Sequence, residues 1–418
     1  MRIGYYAHHH GSGHCRQADK LAALLPANLQ QQMTVFTSLS DDAYQFSTIK
    51  DKQVVRLNAE DELPDDVLAG RAGQYWQPSH LHYSPVGNKN IQMRSWQLLN
   101  EIRQRQIDLM IIDVSVEVAM LCRAASVPYL YVRLAGERDD LPHLGAFAGA
   151  LGLLVPYPRA LEALMTPDWV QQKSLYLGFL PDKISEPSTF LDFVGQLKSL
   201  GADDKIKQRL GNQQTVKQQV TTESSIELHI DDKYWPSIVT VIKGYGGHEA
   251  IDAKLPKLRK LLPDALIISL GPIDDNARPF VDIAAHVDDV TPFIAHSDLL
   301  LMASGLNAIA QVYQEQTPLV VLPDARPHRE QEVMAEALIA EGRALGWQQF
   351  IDQMADESHL DKSYQDKFLS MSSDTQDLPS DQSNPTAQKF MDSLVNYDSV
   401  KTWFKDWLLP QLKINVEI

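Results

Sequence analysis

The apolar residues of this chain fall into short unbroken runs, and most runs are followed by a stretch with helical periodicity. Such runs predict buried strands, and in the first half they cover Arg2–Ala7, Met33–Ser38, Val54–Leu57, Leu109–Val114 and Tyr129–Leu134. In the second half they cover Ser237–Lys243, Ala265–Leu270, Leu299–Met302 and Leu319–Leu322. Strands that are apolar throughout and alternate with amphipathic helices are typical of parallel sheets with both faces covered. The pattern predicts an α/β protein with parallel sheets.

The most regular stretch runs from 298 to 338. A buried strand is followed by a turn at Ser304 and Gly305, an amphipathic helix, a second strand, a polar loop and another helix. In open α/β sheets a ligand binds beyond the carboxyl ends of the strands. The polar residues that fall there are Ser304, Gly305, Asn307, Arg326, Glu330 and Gln331. An ordinary structural βαβ unit is the alternative interpretation.

Two glycine-rich loops follow predicted strands. The first contains Gly11 and Gly13 and leads into a helix from about His14 to Leu25, which ends before Pro26. The second contains Gly244, Gly246 and Gly247. Glycines let the backbone approach a ligand closely, and a helix start offers unpaired N–H groups, so both loops are candidate phosphate sites. A plain left-handed turn is the alternative for the second loop.

The first loop, GSGHCRQ, resembles the GxGHxxR loop of MurG-like transferases of glycosyltransferase family 28 and of a related nucleotide-sugar hydrolase. Gly11, Gly13, His14 and Arg16 carry this match. The 298–338 stretch is similar to the nucleotide-sugar signature of the same family through Ser304-Gly305, Pro318, Pro323 and Glu330-Gln331. The resemblance implies an α/β protein with a GT-B fold, in which two doubly wound Rossmann-like domains face each other across a cleft.

The resemblance also implies roles for individual residues. His14 is the expected base, and the donor phosphates are expected at Gly11, Gly13, Gly244, Gly246, Gly247, Ser304, Gly305, Asn307 and Arg326. Gln311 stands where the family usually has a ribose-binding glutamate, while Glu330 and Gln331 are expected to hold sugar hydroxyls. The backbone of His286 and Val287 is expected to contact the base, which the family suggests is uracil.

Acceptor-side candidates come from the first half. Asp113 and Glu117 lie at a strand end and in the first turn of the next helix, where they either cap that helix or orient a ligand hydroxyl. Arg138, Asp139 and His143 are selected from a polar loop that follows a buried strand. His82 and Tyr83 belong either to a sugar-binding face or to an ordinary surface loop. The apolar segment Leu144–Val155 predicts core, with contact to a lipid-linked acceptor as the alternative.

The composition shifts define the predicted domains. Residues 1–180 form the acceptor-side domain, 181–236 a linker with a variable insertion, 237–390 the donor domain, and 391–418 a helix that packs back. The insertion is predicted from its Lys, Asp, Gln, Thr and Ser content.

Charge and cysteine content narrow the class of protein. The chain has 418 residues with 54 acidic and 38 basic side chains, a formal charge of -16, which disfavours nucleic acid and anionic membranes as partners. Two cysteines, Cys15 and Cys122, fit a reduced compartment. No apolar run is long enough to cross a bilayer, so a cytoplasmic location is expected. His10 and His14 lack a nearby carboxylate or cysteine, so no metal is expected, and no cofactor besides the nucleotide-sugar substrate.

The resemblance, taken with these observations, implies an inverting, metal-independent glycosyltransferase that moves a sugar from a UDP-sugar to an acceptor hydroxyl. Two alternatives remain open: a nucleotide-sugar hydrolase, and a non-catalytic nucleotide-sugar binder, which the Gln311 departure supports. The acceptor is either a glycan or a lipid-linked molecule, and the latter would bring the protein to a membrane surface.

Overall fold

The computed structural model describes residues 1–9, 11–25, 27–59, 78–180, 189–201, 238–244, 249–315 and 317–355. They belong to two compact units, which we call unit 1 (described residues up to Leu180) and unit 2 (Thr189 to Ala355). His10, Gly246, Gly247 and the segment 391–418 lie outside the described residues, as does most of the predicted linker. The predicted domain boundaries stay predictions.

Unit 1 is built on one sheet of seven parallel strands in the order β3-β2-β1-β4-β5-β6-β7. The strands are β1 (Ile3–Tyr6), β2 (Thr34–Thr37), β3 (Val54–Arg56), β4 (Leu109–Asp113), β5 (Tyr129–Val132), β6 (Gly152–Val155) and β7 (Ser174–Tyr176). Every residue of β1, β2, β4, β5 and β6 is buried. Burial of whole strands is expected where helices cover both faces of a parallel sheet.

Three helices of unit 1 begin after residues whose side chains bind their free amides. The helices of unit 1 are α1 (Gly13–Leu24), α2 (Ala27–Gln30), α3 (Lys89–Gln104), α4 (Val116–Ala124), α5 (Leu141–Gly149) and α6 (Asp168–Lys173). The side chains of Asn88, Ser115 and Asp140 accept hydrogen bonds from first-turn amides of α3, α4 and α5. These caps fix where α3, α4 and α5 start.

Unit 2 carries a sheet of six parallel strands in the order β10-β9-β8-β11-β12-β13. The strands are β8 (Ile238–Ile242), β9 (Leu266–Leu270), β10 (Ile283–Ala285), β11 (Leu299–Met302), β12 (Leu319–Val321) and β13 (Leu345–Gly346). The helices are α7 (Phe190–Ser199), α8 (Glu249–Asp252), α9 (Leu255–Leu261), α10 (Thr291–His296), α11 (Leu306–Val312), α12 (Glu330–Ala340) and α13 (Trp347–Ala355). The rings of Phe193 and Phe293, 5.4 Å apart, pack α7 against α10.

All nine predicted strands are present, with ends displaced by at most two residues. Four further strands, β6, β7, β10 and β13, were not predicted. The segment Leu144–Val155 divides between the end of α5 and β6, and its residues Ala146, Phe147 and Leu153 are buried in the unit 1 core. Among the described helices, none is both long and apolar enough to cross a membrane.

Candidate active site

Unit 1 gathers polar side chains at the carboxyl ends of its central strands. β1 lies beside β4, and β4 lies beside β5, all parallel. The loops that follow these three strands therefore leave from the same edge of the sheet, which we call the carboxyl edge of unit 1. Open α/β sheets bind their ligands at this edge.

His14 reaches this edge from the second position of α1. The preceding turn depends on Gly11, whose φ of +81° is a left-handed conformation that favours glycine, and whose amide donates to the His9 carbonyl at 2.9 Å. The His14 side chain is 16% exposed, and its Nδ1 lies 3.0 Å from Oδ2 of Asp113. The histidine is thus partly open to solvent and held by a carboxylate.

Asp113 is fully buried at the end of β4. Its Oδ2 also accepts a hydrogen bond from the Tyr5 hydroxyl at 3.0 Å. Burial, and then the Asp113 charge, raise the pKa of Tyr5 well above its ordinary value, so Tyr5 remains a donor. Since a carboxylate only accepts, His14 carries its proton on Nδ1 and its basic nitrogen is Nε2.

The structure excludes one of the two interpretations of Asp113, the capping of α4, and leaves its acceptor role a prediction. The N-cap of α4 is Ser115, whose Oγ accepts from the Val118 amide at 3.3 Å, so Asp113 does not cap the helix. Val114, between Asp113 and Ser115, has a φ of +54°, a left-handed conformation that is costly for a β-branched residue. The Tyr131 hydroxyl donates to the Val114 carbonyl at 2.5 Å and helps to hold this strained turn.

Neighbouring histidines pack around His14. The His8 ring stacks on the His9 ring with centroids 4.8 Å apart, and it meets the His14 ring edge-on at 5.7 Å. His8 and Asp113 therefore both restrict how the His14 ring can turn.

Glu117 holds a loop in place beside this edge. Its Oε1 accepts the backbone amides of His82 at 2.7 Å and Tyr83 at 3.0 Å. Glu117 was predicted to cap α4 or to contact the acceptor. The structure shows a further role, in which Glu117 anchors residues 82 and 83 on α4.

A second histidine and carboxylate group lies where α5 begins. Asp140, the N-cap of α5, accepts from Nδ1 of His143 at 2.7 Å and contacts Nε2 of His82 at 3.1 Å. Arg138 contacts Nε2 of His143 at 3.1 Å and donates its Nε to the Ala135 carbonyl. Asp139, between them, is exposed. Arg138, Asp139 and His143 are therefore together at the carboxyl edge of unit 1.

Burial and neighbouring charges set the protonation of this group. Burial, followed by the Arg138 charge, lowers the pKa of His143 to about 3, so its ring is neutral near pH 7. Burial opposes ionisation of Asp140, but hydrogen bonds from the amide and side chain of His143 lower its pKa to about 2. His82, Asp140 and His143 offer ligand atoms within 4.8 Å of one another, a spacing that would also suit a metal ion.

In unit 2 a hydrogen-bond network joins the turn after β11 to the start of α12. The Ser304 hydroxyl, which is buried, donates to the Gln331 carbonyl at 2.7 Å. Oε1 of Gln331 accepts from the Asp324 amide at 3.0 Å. The Ser304 hydroxyl is thus already engaged, so a phosphate at this turn would meet backbone amides of Gly305 and the residues after it.

The other donor-side candidates also follow carboxyl ends of unit 2 strands. Gly244 is exposed directly after Lys243, and His286 and Val287 follow β10. Asn307 and Gln311 are half-buried on α11, Glu330 begins α12, and Nη2 of Arg326 lies 3.9 Å from Oδ2 of Asp324. Consecutive left-handed residues, His328 and Arg329, precede Glu330.

A buried ion pair supports the start of the second glycine loop. Nζ of Lys243 donates to Oδ1 of Asp252 at 2.6 Å, and Oδ2 of Asp252 accepts from the Asp274 amide at 2.8 Å. Burial lowers the pKa of Lys243, although the Asp252 carboxylate opposes this shift. Since Lys243 directly follows β8 and Asp252 ends α8, the pair joins the end of β8 to α8.

Comparisons with known proteins agree with this architecture. No protein-family model matches the sequence, and no curated protein matches it either. Among solved structures, MurG of Acinetobacter baumannii covers 95% of this chain and 100% of its own, with 11% identity and a TM-score of 0.54. The fold is GT-B.

Two further structures extend the comparison. The glycosyltransferase SsfS6 of Streptomyces sp. SF2575, complexed with thymidine diphosphate, matches 95% of this chain and 100% of its own at 12% identity and a TM-score of 0.54. UDP-GlcNAc 2-epimerase from Neisseria meningitidis, bound to UDP-GlcNAc, matches 94% and 99% at 13% identity and a TM-score of 0.52. At sequence identities this low, the structural matches establish the GT-B fold alone. The reaction has to be inferred from the side chains of the site.

Sequence analysis missed several groups in the GT-B units. Tyr5 was treated only as a strand residue, and Asp140 and Lys243 were not selected. A polar residue inside an apolar run was the available signal for Tyr5 and Lys243, because buried polar groups are retained with a partner. For Asp140, the signal was an aspartate followed by a leucine and a proline, which is typical of a helix start.

Proposed function

We propose that this protein is a MurG-like glycosyltransferase that transfers a sugar from a UDP-sugar to an acceptor hydroxyl. The observation that carries the proposal is the pairing of His14 Nδ1 with the buried Asp113 carboxylate at 3.0 Å. This pairing leaves Nε2 of His14 as a base at the edge where α/β sheets bind ligands. The bound nucleotide diphosphate and UDP-sugar of the two GT-B neighbours support the choice of donor.

The reaction is a direct displacement. The acceptor hydroxyl loses its proton to Nε2 of His14 while its oxygen bonds to the anomeric carbon of the donor. The bond from that carbon to the diphosphate oxygen breaks, and the nucleoside diphosphate leaves with the bonding electrons. Attack opposite the leaving group inverts the anomeric carbon. Asp113 stabilises the imidazolium that forms on His14.

Unit 2 is proposed to hold the donor. Backbone amides of the turn at Gly305 to Asn307 and of the loop that starts at Gly244 would offset the diphosphate charge, and no metal ion is required in this scheme. Glu330 and Gln331 would contact sugar hydroxyls, Arg326 a phosphate, Gln311 the ribose, and the backbone at His286 and Val287 the base.

Hydrolysis of a nucleotide-sugar is the second candidate, because the His14–Asp113 pair would deprotonate water by the same chemistry. Incubation with UDP-sugars, with and without a panel of hydroxyl acceptors, separates the two candidates. A transferase releases UDP mainly when an acceptor is present, and it forms a glycoside. Because the scheme requires no metal ion, excess EDTA should not change this result. Complete release of free sugar without acceptor would instead establish the hydrolase.

A thermal-shift screen against nucleotide-sugars comes first, because it does not require the acceptor. A ligand at 100 times its dissociation constant stabilises the folded protein by about 2.7 kcal/mol. A shift with UDP-sugars but not with the free sugars supports the donor assignment. Absence of any shift with UDP- and TDP-sugars would reject the proposed function in all its forms.

A further inference from the structure

The buried Asp113 carboxylate receives two hydrogen bonds on one of its two oxygens. Its Oδ2 accepts from the Tyr5 hydroxyl at 3.0 Å and from Nδ1 of His14 at the same distance. Its Oδ1 is buried and accepts no hydrogen bond from any described residue. The mechanism proposed above uses the contact with His14 and gives the contact with Tyr5 no part.

Tyr5 reaches the carboxylate from the neighbouring strand. It lies on β1 beside Ile111 of β4, and its side chain is buried. Burial, and then the charge of Asp113, raise the pKa of Tyr5 well above its ordinary value. The hydroxyl therefore keeps its proton and stabilises the carboxylate by donating to it.

The two donors compete for the charge of the same oxygen. A carboxylate removed from water depends on its hydrogen-bond donors to stay ionised. Because Tyr5 and His14 share Oδ2, each donor receives less of the negative charge than it would alone. The Tyr5 hydroxyl thus weakens the attraction between Asp113 and the imidazolium form of His14.

Other titratable groups surround the pair. Burial raises the pKa of Cys15, on α1, to about 11, and it raises the pKa of Tyr131, on β5, well above its ordinary value. Both side chains are neutral near pH 7. His8 meets the ring of the base edge-on, and His9 stacks on His8. These two histidines titrate in the same range as the base, so their signals must be distinguished from its own.

We propose that Tyr5 is a positioning residue for His14: by donating to Asp113 it weakens the hold of this carboxylate on the imidazolium, and so sets the pH below which the base is lost. The inference rests on the proposed function, because it concerns the residue that deprotonates the acceptor there. It adds a pH control to that site.

The direction of the effect follows from the shared oxygen. Without the Tyr5 hydroxyl, the carboxylate keeps a single donor and attracts a proton more strongly. The pair then takes up its proton at higher pH, whether that proton rests on His14 or on Asp113. A protonated pair cannot deprotonate an acceptor, so the acid limb of kcat/KM should move to higher pH. A purely structural role of Tyr5 would lower kcat/KM at every pH and leave the limb in place.

The first test is an NMR titration, which requires no substrate. The Cε1–H signals of the histidines are followed against pH, and the signal that is lost in His14→Ala is assigned to His14. We expect Tyr5→Phe to raise the midpoint of this signal by about one pH unit or more. Tyr129→Phe is the matched control, because it removes a buried hydroxyl that donates to the Ala146 carbonyl at 2.7 Å instead of to a carboxylate. Its midpoint should equal that of wild type.

Two further proteins sharpen the titration. In an Asp113→Asn background, Tyr5→Phe should shift the midpoint much less, because no carboxylate charge remains to be shared. Site-specific incorporation of 3-fluorotyrosine at position 5 should lower the midpoint, since fluorine makes the phenol a stronger donor. This second protein keeps the ring and the hydroxyl, so it tests the inference even if Tyr5→Phe does not fold.

The second test is the pH profile of kcat/KM with a UDP-sugar and the best acceptor. The acid limb should move with the NMR midpoint, to higher pH in Tyr5→Phe and to lower pH with 3-fluorotyrosine. The donor KM above the limb should stay nearly unchanged.

Three results would overturn the inference: an unchanged midpoint in both Tyr5 proteins, an equal displacement in Tyr129→Phe, or a displacement that persists in full in the Asp113→Asn background. The two tests separate this inference from the proposed function. Displaced midpoints without turnover of any nucleotide-sugar would reject the proposed function and leave the control of His14 by Tyr5 standing. Turnover with undisplaced midpoints would reject the role of Tyr5 alone.

Discussion

Nδ1 of His14 lies 3.0 Å from Oδ2 of Asp113, although 99 residues separate them in the sequence. The contact exists because β1 and β4 are parallel neighbours, which brings the loop after β1 to the end of β4. Asp113 thereby determines which nitrogen of His14 is basic. The chemistry of the site depends on this tautomer more than on the presence of the histidine alone.

Replacement of Asp113 by Asn should reduce turnover about 100-fold or more, with little effect on nucleotide-sugar binding. The amide can donate to Nδ1 of His14, which would move the ring proton to Nε2 and abolish the base. The measurement is kcat with the best donor and acceptor, together with the thermal shift caused by the donor.

His14→Ala is the comparison for that prediction. Because the two residues act as one unit, the double variant should be no slower than the slower single variant. Losses that multiply in the double variant would show that Asp113 and His14 act independently, and would contradict the pairing.

The sheets were largely predictable because their strands are apolar throughout. Leu299–Met302 was predicted with its observed ends, whereas Leu109–Val114 was predicted one residue too long. Val114 is apolar, and only its left-handed backbone removes it from the strand. β13 has only two residues, and β10 has two alanines after Ile283, so neither forms the run of large apolar side chains by which β3 and β12 were predicted.

The site was predictable only in part. Asp113 was selected from its position at a strand end and His14 from the resemblance of its loop to GxGHxxR, but their contact depends on the strand order, which local patterns do not specify. Ser304 was selected as a phosphate ligand from its place in a turn. The structure shows its hydroxyl bonded to the Gln331 carbonyl, a contact across 27 residues. Long-range pairing thus decided which polar groups remain available.

Stability should fall in mild acid because of His143. The unfolded chain takes up a proton at this residue near pH 6.5, but the folded protein does so only near pH 3. Between these values the unfolded state binds more protons, so the free energy of unfolding decreases as pH falls, by up to about 1.4 kcal/mol per pH unit. Urea unfolding at several pH values between 7 and 4 measures this slope.

His143→Asn is the variant for that measurement. Its amide can still donate to Asp140, but it does not titrate. Its stability at pH 7 should be lower because ring packing against Phe147 is lost, and its slope between pH 6.5 and 4 should be smaller than that of wild type. Equal slopes in the two proteins would refute a buried neutral His143.

Lys243→Met should destabilise unit 2 by about 3–5 kcal/mol, because it leaves the buried Asp252 carboxylate without its cation. Asp252→Asn in the same chain removes that charge and keeps an acceptor for the Asp274 amide, so the double variant should recover part of the loss. Urea unfolding measures the free energy of unfolding of each variant.

The control is Glu336→Gln, which breaks the exposed contact with Arg329 and should cost less than about 1 kcal/mol. A double variant less stable than Lys243→Met would contradict the argument.

Gly271→Ala tests whether the end of β9 needs glycine to approach Lys243. Gly271 has φ +101°, and an added Cβ would lie 2.4 Å from the Lys243 carbonyl oxygen, a backbone atom that cannot move aside alone. We expect a loss of about 3 kcal/mol or more in urea unfolding. Gly145→Ala in α5 is the matched control, because its Cβ would meet nothing within 4 Å, and it should stabilise by about 0.5–1 kcal/mol. Similar effects of the two substitutions would mean that neither the backbone conformation nor the contact at Gly271 constrains the fold.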